Sequence, residues 1–455
     1  MFSPLWPGFQ YESHQVAGIR WMLGREKDPL HQGGFLCDEM GLGKTIQMIG
    51  LMMASPKKRN LFIGPLPVIE QWRATATRAG INCWMATKDS RWDPPAHLKL
   101  HAPNLFLVNY EMAVRKPSLT KEQSWDRVIC DEAHRLANEG VAWRLVDEIP
   151  TTVHWFLTAT PIVNRRGDLE ALYRLLGAPY DSSTISTYVM ARTMEQLRET
   201  MPHLPKQPIQ KMHILNFDTE EEGDFYKGIQ GTIVRRWKAM AAEGGQGAAL
   251  DKLRLIMRLR QISLHPQIYI ESRRKELGTA LYDRPDWIDP STKFQGIRDL
   301  IEKDTEPKKW ILFCHFHKEM ELLKEFLEYS SSVGRVWVYS GKLTAAQRTS
   351  VLEETTQPVG ATHDILLIQL QSGGVGLNLQ HFQSIVFSGP WWTAALIEQA
   401  VGRAVRIGQK NQVVVHHMVL KEEEGLNIDK HMRKKAQAKG KLCEEVLAAA
   451  NHAAL

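Results

Sequence analysis

The chain has 455 residues, of which 43% are hydrophobic and 24% are charged, and its formal net charge is +6. This composition is ordinary for a globular protein, and the length excludes a single small module. The five cysteines lie far apart with no CxxC pair, so they indicate neither a disulfide framework nor a zinc module. Because no run of about 18 apolar residues occurs, the sequence predicts neither a membrane span nor a membrane partner.

Short apolar runs alternate along the chain with amphipathic stretches, which is typical of buried parallel strands crossed over by helices. The runs are Phe35 to Cys37, Leu61 to Ile63, Leu105 to Val108, Val128 to Cys130, Trp155 to Leu157, Trp310 to Cys314, Val336 to Tyr339, Ile365 to Ile368, Ile385 to Phe387 and Val413 to His416. The stretch between the two series is strand-poor and rich in helical pattern. We therefore predict an α/β lobe over 1–177, helical extensions over 178–290, a second α/β lobe over 291–420 and a terminal helix or tail over 421–455.

The strongest local signal is a glycine-rich segment that follows the first apolar run and opens an amphipathic helix. It reads Asp38, Glu39, Met40, Gly41, Leu42, Gly43, Lys44 and Thr45. Glycines let backbone N–H groups approach phosphate oxygens, and a helix N-terminus favours an anion. Lys44 would neutralise the β and γ phosphates, and the Thr45 hydroxyl would bind Mg²⁺. The generic phosphate loop has glycine at the position of Asp38, so a plain strand-to-helix turn stays open as the alternative.

Two adjacent carboxylates, Asp131 and Glu132, follow the buried run that ends at Cys130. Carboxylates at the tip of a strand are costly unless a cation or a partner uses them. Asp131 suits a ligand of Mg²⁺, directly or through water, and Glu132 suits the base that positions water for hydrolysis. The alternative is a solvated Asp-Glu pair at the start of a helix.

A third candidate group stands in the second predicted lobe, between Gln399 and Arg406. Arg403 and Arg406 are three residues apart, so a helix would place them on one face. A forked, permanently charged guanidinium suits the negative charge of a transferring phosphoryl group and is worth about 10³ to 10⁵ in rate. A structural pair that holds an acidic loop is the alternative. Because Lys44 falls in the other lobe, the sequence predicts that hydrolysis depends on lobe closure.

Together these segments resemble the motifs of the Swi/Snf-type family of DNA-dependent ATPases, which are helicase-like motors of superfamily 2. The motifs stand in the family's order over nearly the whole chain. The stretch His14 to Met22 resembles the glutamine motif that reads adenine, which implies that Gln15 contacts the base. The family's own phosphate loop carries aspartate at the position of Asp38, which removes the departure from the generic pattern. Asp131 to His134 reads as a DEAH box.

The resemblance extends to segments whose chemistry the residue types alone do not reveal. Thr158 to Pro161 is similar to the motif that couples hydrolysis to lobe movement, and Leu259 to Pro266 resembles a signature of the family's helical insertion. The residues implied are Pro65, Gln71, Trp72, Asn109, Tyr110, Ser372, Gly373 and Gly374 at the DNA; Gln15, Gly376 and the loop from Asp38 to Thr45 at the nucleotide; and Lys44, Glu132, Gln399, Arg403 and Arg406 in catalysis.

Four positions depart from the family pattern. Val405 stands where histidine is frequent, Thr393 and Ala394 replace a common Asn-Pro, and Ala191 replaces the first arginine of a frequent pair whose second member, Arg192, is present. None of these changes removes a group of the phosphate chemistry. They weaken the assignment to a subfamily.

The resemblance implies two RecA-like parallel-sheet lobes with a helical insertion, ATP and Mg²⁺ as cofactors, and ATP-driven translocation along double-stranded DNA through sequence-independent backbone contacts. It implies sliding or displacement of DNA-bound proteins, nucleosomes among them, with accessory subunits if the role is remodelling. The expected location is the nucleus, or a viral factory or the cytoplasm for a viral or prokaryotic source. Two alternatives stay open. One is a more generic superfamily 2 helicase that separates strands or acts on RNA, against which residues 259–266 and 406–409 argue. The other is a nucleotide-gated clamp or scaffold that binds DNA but turns over poorly.

Overall fold

The computed structural model describes residues 2–243, 248–373, 377–406, 408–421 and 427–451. It divides into two compact units. Unit 1 comprises Met1–Leu204, Arg406–Gly408 and Ala438–Leu455, and unit 2 comprises Pro205–Val405 and Gln409–Gln437. The segment 178–290 therefore belongs to unit 1 up to Leu204 and to unit 2 beyond it. Within the described part of the chain, no helix has the length and apolar character to cross a membrane.

Unit 1 is built on a sheet of eight strands. They are β1 (Gln32–Leu36), β2 (Asn60–Gly64), β3 (Asn82–Ala86), β4 (Trp92–Asp93), β5 (Asn104–Asn109), β6 (Arg127–Asp131), β7 (Val153–Leu157) and β8 (Val189–Met190). Their order is β4-β3-β5-β2-β6-β7-β1-β8, and all neighbours are parallel except β3 and β4. Helices cover both faces, which is why the run Leu61 to Ile63 is fully buried along its length.

The helices of unit 1 fill the crossovers between these strands. They are α1 (Ser13–Arg25), α2 (Lys44–Ala54), α3 (Leu66–Arg78), α4 (Tyr110–Arg115), α5 (Ser118–Lys121), a 3-10 turn (Ala133–Leu136), α6 (Val141–Asp147), α7 (Gly167–Leu176), α8 (Ser182–Tyr188) and α9 (Met194–Leu197). All five strands predicted in this half are present. The strands β3, β4 and β8 were not predicted, because they are short or lie only partly buried near the sheet edges.

Unit 2 is built on a second, entirely parallel sheet. Its strands are β9 (Ile209–Leu215), β10 (Lys309–Cys314), β11 (Val333–Tyr339), β12 (His363–Gln369), β13 (Ser384–Phe387) and β14 (Val414–Leu420), in the order β11-β12-β10-β13-β14-β9. Alternate residues of β10 enter two separate cores, with Ile311 and Phe313 on one face and Trp310 and Leu312 on the other. The prediction of two parallel-sheet α/β lobes is confirmed.

The helices of unit 2 include the predicted insertion. They are α10 (Glu220–Glu243), α11 (Ala248–Leu264), α12 (Pro266–Leu277), α13 (Thr292–Glu302), α14 (His317–Glu328), α15 (Ala345–Thr355), α16 (Leu370–Gly373) and α17 (Ala394–Val401). The C-terminal segment forms α18 (Ile428–Asn451), which begins in unit 2 and continues into the residues of unit 1. Strand β9 lies inside the stretch predicted as strand-poor, because Gln210 and Lys211 break its apolar run.

Candidate nucleotide-binding site

Three loops of unit 1 meet at the carboxyl edge of its sheet. Leu157 of β7 pairs with Leu36 of β1 on one side and with Asp131 of β6 on the other, so these strands end in one row. The phosphate loop follows β1, and Thr158 follows β7. Because parallel strands place the loops that follow them at the same edge, the register brings the loop and the carboxylates together.

The backbone of the phosphate loop requires its glycines. Gly41 and Gly43 have φ of 91° and 82°, and Gly43 is the residue before the first turn of α2. A Cβ at Gly43 would stand 2.6 Å from Nε2 of Gln15, so the end of the Gln15 side chain would have to move, and the positive φ itself disfavours a side chain at this position. Lys44 and Thr45 are partly exposed, and Nζ of Lys44 donates to the carbonyl of Asp38 at 2.6 Å. The loop thus offers an accessible helix N-terminus and an ammonium to an anion.

The carboxylate of Asp38 is fully buried and anchors the phosphate loop. Arg192 donates to it from Nε at 2.9 Å and from Nη2 at 2.5 Å, and Gln47 donates to it at 2.8 Å. Arg192 also donates to the carbonyl of His14 at 2.5 Å. The aspartate therefore replaces the generic glycine because its side chain ties the loop to α1 and to the segment after β8. Any contact of Asp38 with a nucleotide is left to its backbone.

Arg192→Ala is expected to lower the free energy of unfolding by about 3 to 5 kcal/mol, because it leaves the buried Asp38 carboxylate without its cation. Urea denaturation followed by circular dichroism measures the change. Arg174→Ala is the control, since it removes exposed ion pairs to Glu139 and Glu170 and should cost less than about 1 kcal/mol. Equal stability of the two variants would show that the Asp38 network is not a structural anchor.

The glutamine motif packs against the same loop. Gln15 is buried, its Nε2 lies 3.4 Å from the carbonyl of Leu42, and its Oε1 accepts from the amide of Glu12 at 3.2 Å. The ring Nε2 of His14 lies 2.8 Å from the same Leu42 carbonyl, and burial lowers the pKa of His14, which favours the neutral ring. The helix α1 thus holds the loop from one side. The contact of Gln15 with an adenine stays a prediction.

Asp131 is held by three hydrogen bonds from its surroundings. Its Oδ2 accepts from the indole of Trp72 at 2.9 Å, its Oδ1 accepts from the amide of Glu132 at 2.9 Å, and its carbonyl accepts from the hydroxyl of Tyr110 at 3.0 Å. Burial, and then the charge of Glu132, raise the pKa of Asp131 to about 6, while Lys44 is close enough to oppose the rise. A carboxylate destabilised in this way gains from a bound cation.

Glu132 has a backbone conformation that is uncommon for a residue with a side chain. Its φ of 49° and ψ of 48° lie in the left-handed region, which costs about 1 to 3 kcal/mol, and Ser90 and Glu139 also have a positive φ. Its Oε2 lies 3.4 Å from Nδ1 of His134, which lies 3.3 Å from the hydroxyl of Thr158. His134 therefore connects the candidate base to the loop after β7.

The donor set of this site fits Mg²⁺. No cluster of three or more His, Cys, Asp or Glu side chains that could hold a metal occurs in the described ranges. Mg²⁺ takes few protein ligands and completes its shell with phosphate oxygens and water. Each carboxylate oxygen of Asp131 accepts one hydrogen bond and keeps a second lone pair. Asp131 and the hydroxyl of Thr45 thus have suitable donor chemistry, and their role as Mg²⁺ ligands stays a prediction.

Two of the residues that the family resemblance predicts to contact DNA are buried in this structure. Trp72 is 1% exposed and Tyr110 is 3% exposed, and both donate to Asp131. Their burial leaves too little surface for the predicted contact with DNA. In this structure Trp72 orients the Asp131 carboxylate and Tyr110 holds the backbone carbonyl of the same residue, roles that the sequence did not indicate.

The other first-lobe residues predicted to contact DNA differ in how far they are buried. Pro65 is buried at the start of α3, whereas Gln71 is exposed on the same helix. Asn109 is partly exposed, and its Oδ1 accepts from the amide of Met112 at 2.8 Å, which caps α4. Gln71 and Asn109 thus reach the surface of unit 1, and their contact with DNA stays a prediction.

Arg403 and Arg406 do not share a helical face, and this prediction is wrong. The helix α17 ends at Val401, and both arginines follow in turns. Gly402 ends the helix, and the carbonyl of Arg403 accepts from the amide of Leu379 at 3.0 Å, so the backbone pairs with another segment. Arg403 is 3% exposed, and burial lowers the pKa of Arg406. Their catalytic role stays a prediction.

The remaining site residues predicted in the second lobe either precede Arg403 in the sequence or follow strand β12. Gln399 is buried in the last turn of α17. Ser372 and Gly373 end the short helix α16. Gly374 and Gly376 lie outside the described residues. The functions predicted for these residues therefore stay predictions.

The insertion signature has a partner in unit 2 that the sequence did not reveal. Arg260 is 4% exposed, and its Nη2 lies 2.9 Å from Nδ1 of His315. Its guanidinium lies 4.5 Å from the ring centre of Trp391 and 5.3 Å from that of Trp392. Burial lowers the pKa of Arg260 to about 10. The signature arginine thus fixes the insertion to the segment that precedes α17.

Comparison with known families and proteins agrees with this architecture. The chain matches the SNF2-related domain over residues 14–184 and the helicase conserved C-terminal domain over residues 292–408. It is 26% identical over 457 residues to the probable global transactivator of Orgyia pseudotsugata multicapsid polyhedrosis virus, covering 94% of this chain and 89% of that protein. It is 25% identical over 447 residues to the ISWI chromatin-remodeling complex ATPase ISW2 of Saccharomyces cerevisiae, covering 89% of this chain but only 38% of that protein.

A solved structure also matches. The Sulfolobus solfataricus SWI2/SNF2 ATPase core in complex with dsDNA covers 99% of each chain at 20% identity, with a TM-score of 0.41.

Proposed function

The chain belongs to the SNF2 family of helicase-like ATPases, and on this premise we propose that it is an ATP-dependent translocase on double-stranded DNA, of chromatin-remodelling type. The observation that carries the proposal is the meeting of three groups at one edge of the unit 1 sheet: the Lys44 loop, Asp131 and Glu132. These groups are what hydrolysis of a nucleoside triphosphate requires.

Binding of the triphosphate is assigned to the phosphate loop. Its backbone N–H groups and the ammonium of Lys44 hold the phosphates, and the hydrogen bond from Lys44 to the Asp38 carbonyl shows that the ammonium already lies over the loop. Asp131 and Thr45 would hold Mg²⁺. When bound, that ion neutralises charge on the phosphate oxygens.

The attacking water is assigned to Glu132. Its strained backbone and its contact with His134 fix the carboxylate, and His134 extends this contact to Thr158. We propose that this path couples hydrolysis to movement of the loop after β7. Arg403 and Arg406 keep the role that the family resemblance implies, which is to supply positive charge to the transferring phosphoryl group.

The proposed substrate is the DNA duplex, gripped by its phosphates without regard to sequence. A relative of this chain is named as a chromatin-remodelling ATPase, which supports a role on DNA-bound proteins, including nucleosomes. Accessory subunits would direct such a motor to its target. We propose the nucleus as the place of action, or a viral factory or the cytoplasm for a viral or prokaryotic source.

Displacement of a third DNA strand from a triplex tests translocation directly. The protein is expected to release the third strand only with ATP and only when duplex lies beside the triplex, because the motor must load on duplex and travel. Lys44→Ala is the matched control and should release none. Unwinding of a forked duplex without triplex displacement would identify a strand-separating helicase. Binding without displacement or sustained hydrolysis would identify a clamp.

A further inference from the structure

A cavity of about 800 Å³ opens on unit 1 where strands β2, β3 and β5 begin. The phosphate loop follows the carboxyl end of β1, which runs parallel within the same sheet. The cavity and the nucleotide site therefore lie at opposite edges of the sheet. None of the groups assigned to ATP hydrolysis lines the cavity.

The lining of the cavity is strongly cationic. The cations are Lys57, Lys58 and Arg59 from the loop before β2 and Lys99 from the loop before β5. Among the described residues that line it, none is acidic. Such a concentration of one charge in a concave surface attracts an anionic partner.

Three buried or partly buried asparagines fix the two loops that carry these cations. Asn82 exchanges two hydrogen bonds of 2.9 Å with the backbone of Lys99, Asn60 donates to the carbonyl of Lys57 at 3.0 Å, and Asn104 donates to the carbonyl of Lys58 at 3.0 Å. The backbone of both loops is therefore set before any ligand arrives. Preorganisation of this kind lowers the entropy lost on binding.

The cavity also presents apolar surface. Trp84 stacks on Phe106 with ring centres 5.5 Å apart, and its indole donates to Asn104 at 3.1 Å. Leu98 and Leu100 stand at the rim with 57% and 82% of their surface exposed. Exposed leucines beside aromatic rings are typical of protein recognition, whereas a nucleic acid backbone offers them no apolar contact.

We propose that this cavity binds an acidic segment of a partner protein that carries apolar side chains between its carboxylates. The carboxylates face the lysines, and an apolar side chain packs against Leu98, Leu100 and Trp84. A second copy of the chain is disfavoured as the occupant, because two such surfaces placed face to face would oppose like charges. The combination of cations and leucines also favours a peptide over a nucleic acid.

The test measures binding of a fluorescein-labelled peptide of alternating glutamates and leucines by anisotropy at low salt. Lys58→Glu combined with Lys99→Glu is expected to weaken binding about tenfold or more, since it replaces two attractions by two repulsions. Leu100→Ser should weaken it severalfold through lost apolar contact. The matched control reverses two exposed lysines of unit 2, Lys238→Glu with Lys303→Glu, and should bind as the unmodified protein does.

Three results would overturn the proposal. Unchanged peptide binding by the Lys58 and Lys99 double variant would remove the cavity as the site. Equal affinity for an all-glutamate peptide or a short single-stranded oligonucleotide would make it a general polyanion surface. A loss of duplex-stimulated ATP hydrolysis in the double variant would make it part of the DNA path. The variants' urea midpoints should match that of the unmodified protein, which shows that folding does not explain weaker binding.

Discussion

Lys44→Ala is expected to reduce ATP turnover at saturating duplex DNA by about 10²- to 10³-fold while the protein stays folded. The variant removes the one ammonium that the loop holds at the mouth of α2, where it would neutralise the transferring phosphate. Folding should be nearly unaffected, because Lys44 is partly exposed and its own hydrogen bond to the Asp38 carbonyl contributes only about 1 kcal/mol. Phosphate release measured beside circular dichroism separates the two effects.

Lys303→Ala provides the control for Lys44→Ala, since Lys303 is an exposed lysine at the end of α13 in unit 2. Its turnover should equal that of the unmodified protein. If Lys44→Ala kept more than a tenth of normal turnover, the loop would not be the phosphate site of the reaction.

Glu132→Gln is expected to reduce turnover by about 10²- to 10⁴-fold while ATP binding changes only a few-fold. The amide has the shape of the carboxylate but cannot accept the proton of the attacking water. Glu132 is partly buried beside His134, and its neighbour Asp131 is assigned to Mg²⁺, so Glu132 is the carboxylate assigned to the water. Single-turnover hydrolysis and titration with a fluorescent ATP analogue measure the two quantities.

Glu148→Gln is the matched control for Glu132→Gln, because Glu148 is exposed and pairs only with Lys121 in the described contacts. It should hydrolyse ATP at the normal rate. A parallel loss of binding and turnover in Glu132→Gln would make Glu132 a structural residue. Retained turnover would assign the water to another group.

The sequence predicted the central strands and the phosphate loop because these features are local. A run such as Val128 to Cys130 is apolar throughout only if both faces of the strand are covered, and the glycines around Lys44 have a fixed spacing. Strand β9 escaped prediction because an edge strand, exposed on one side, needs no continuous apolar run. A local sequence pattern thus identifies strands that are buried between helices and misses strands at the edge of a sheet.

The anchor of the phosphate loop could not be predicted from local pattern. Arg192 lies 154 residues from Asp38, and only the fold brings the two together. The resemblance marked Arg192 as a matching residue without indicating its chemistry. The contacts of Trp72 and Tyr110 with Asp131 could not be predicted for the same reason, since the two residues lie in helices α3 and α4 and Asp131 ends strand β6.

The prediction for Arg403 and Arg406 failed because helical periodicity was applied to residues that lie beyond the end of a helix. A spacing of three residues predicts one face only while the helix continues, and α17 stops at Val401. Gly402, the residue at which α17 ends, has φ of −61° and ψ of −6°, so the end of the helix does not depend on the conformational freedom of glycine. The chemistry proposed for the two arginines depends on their charge, and it remains open to test by Arg403→Ala.

We propose above all that this chain hydrolyses ATP as a motor driven by double-stranded DNA. The steady-state rate of ATP hydrolysis tests this proposal when it is measured for the unmodified protein without nucleic acid and with duplex DNA, single-stranded DNA or RNA at matched salt. We expect the duplex to give the highest rate and this stimulation to weaken as salt rises. A rate with duplex no higher than with single strands, with RNA or with no nucleic acid would contradict it.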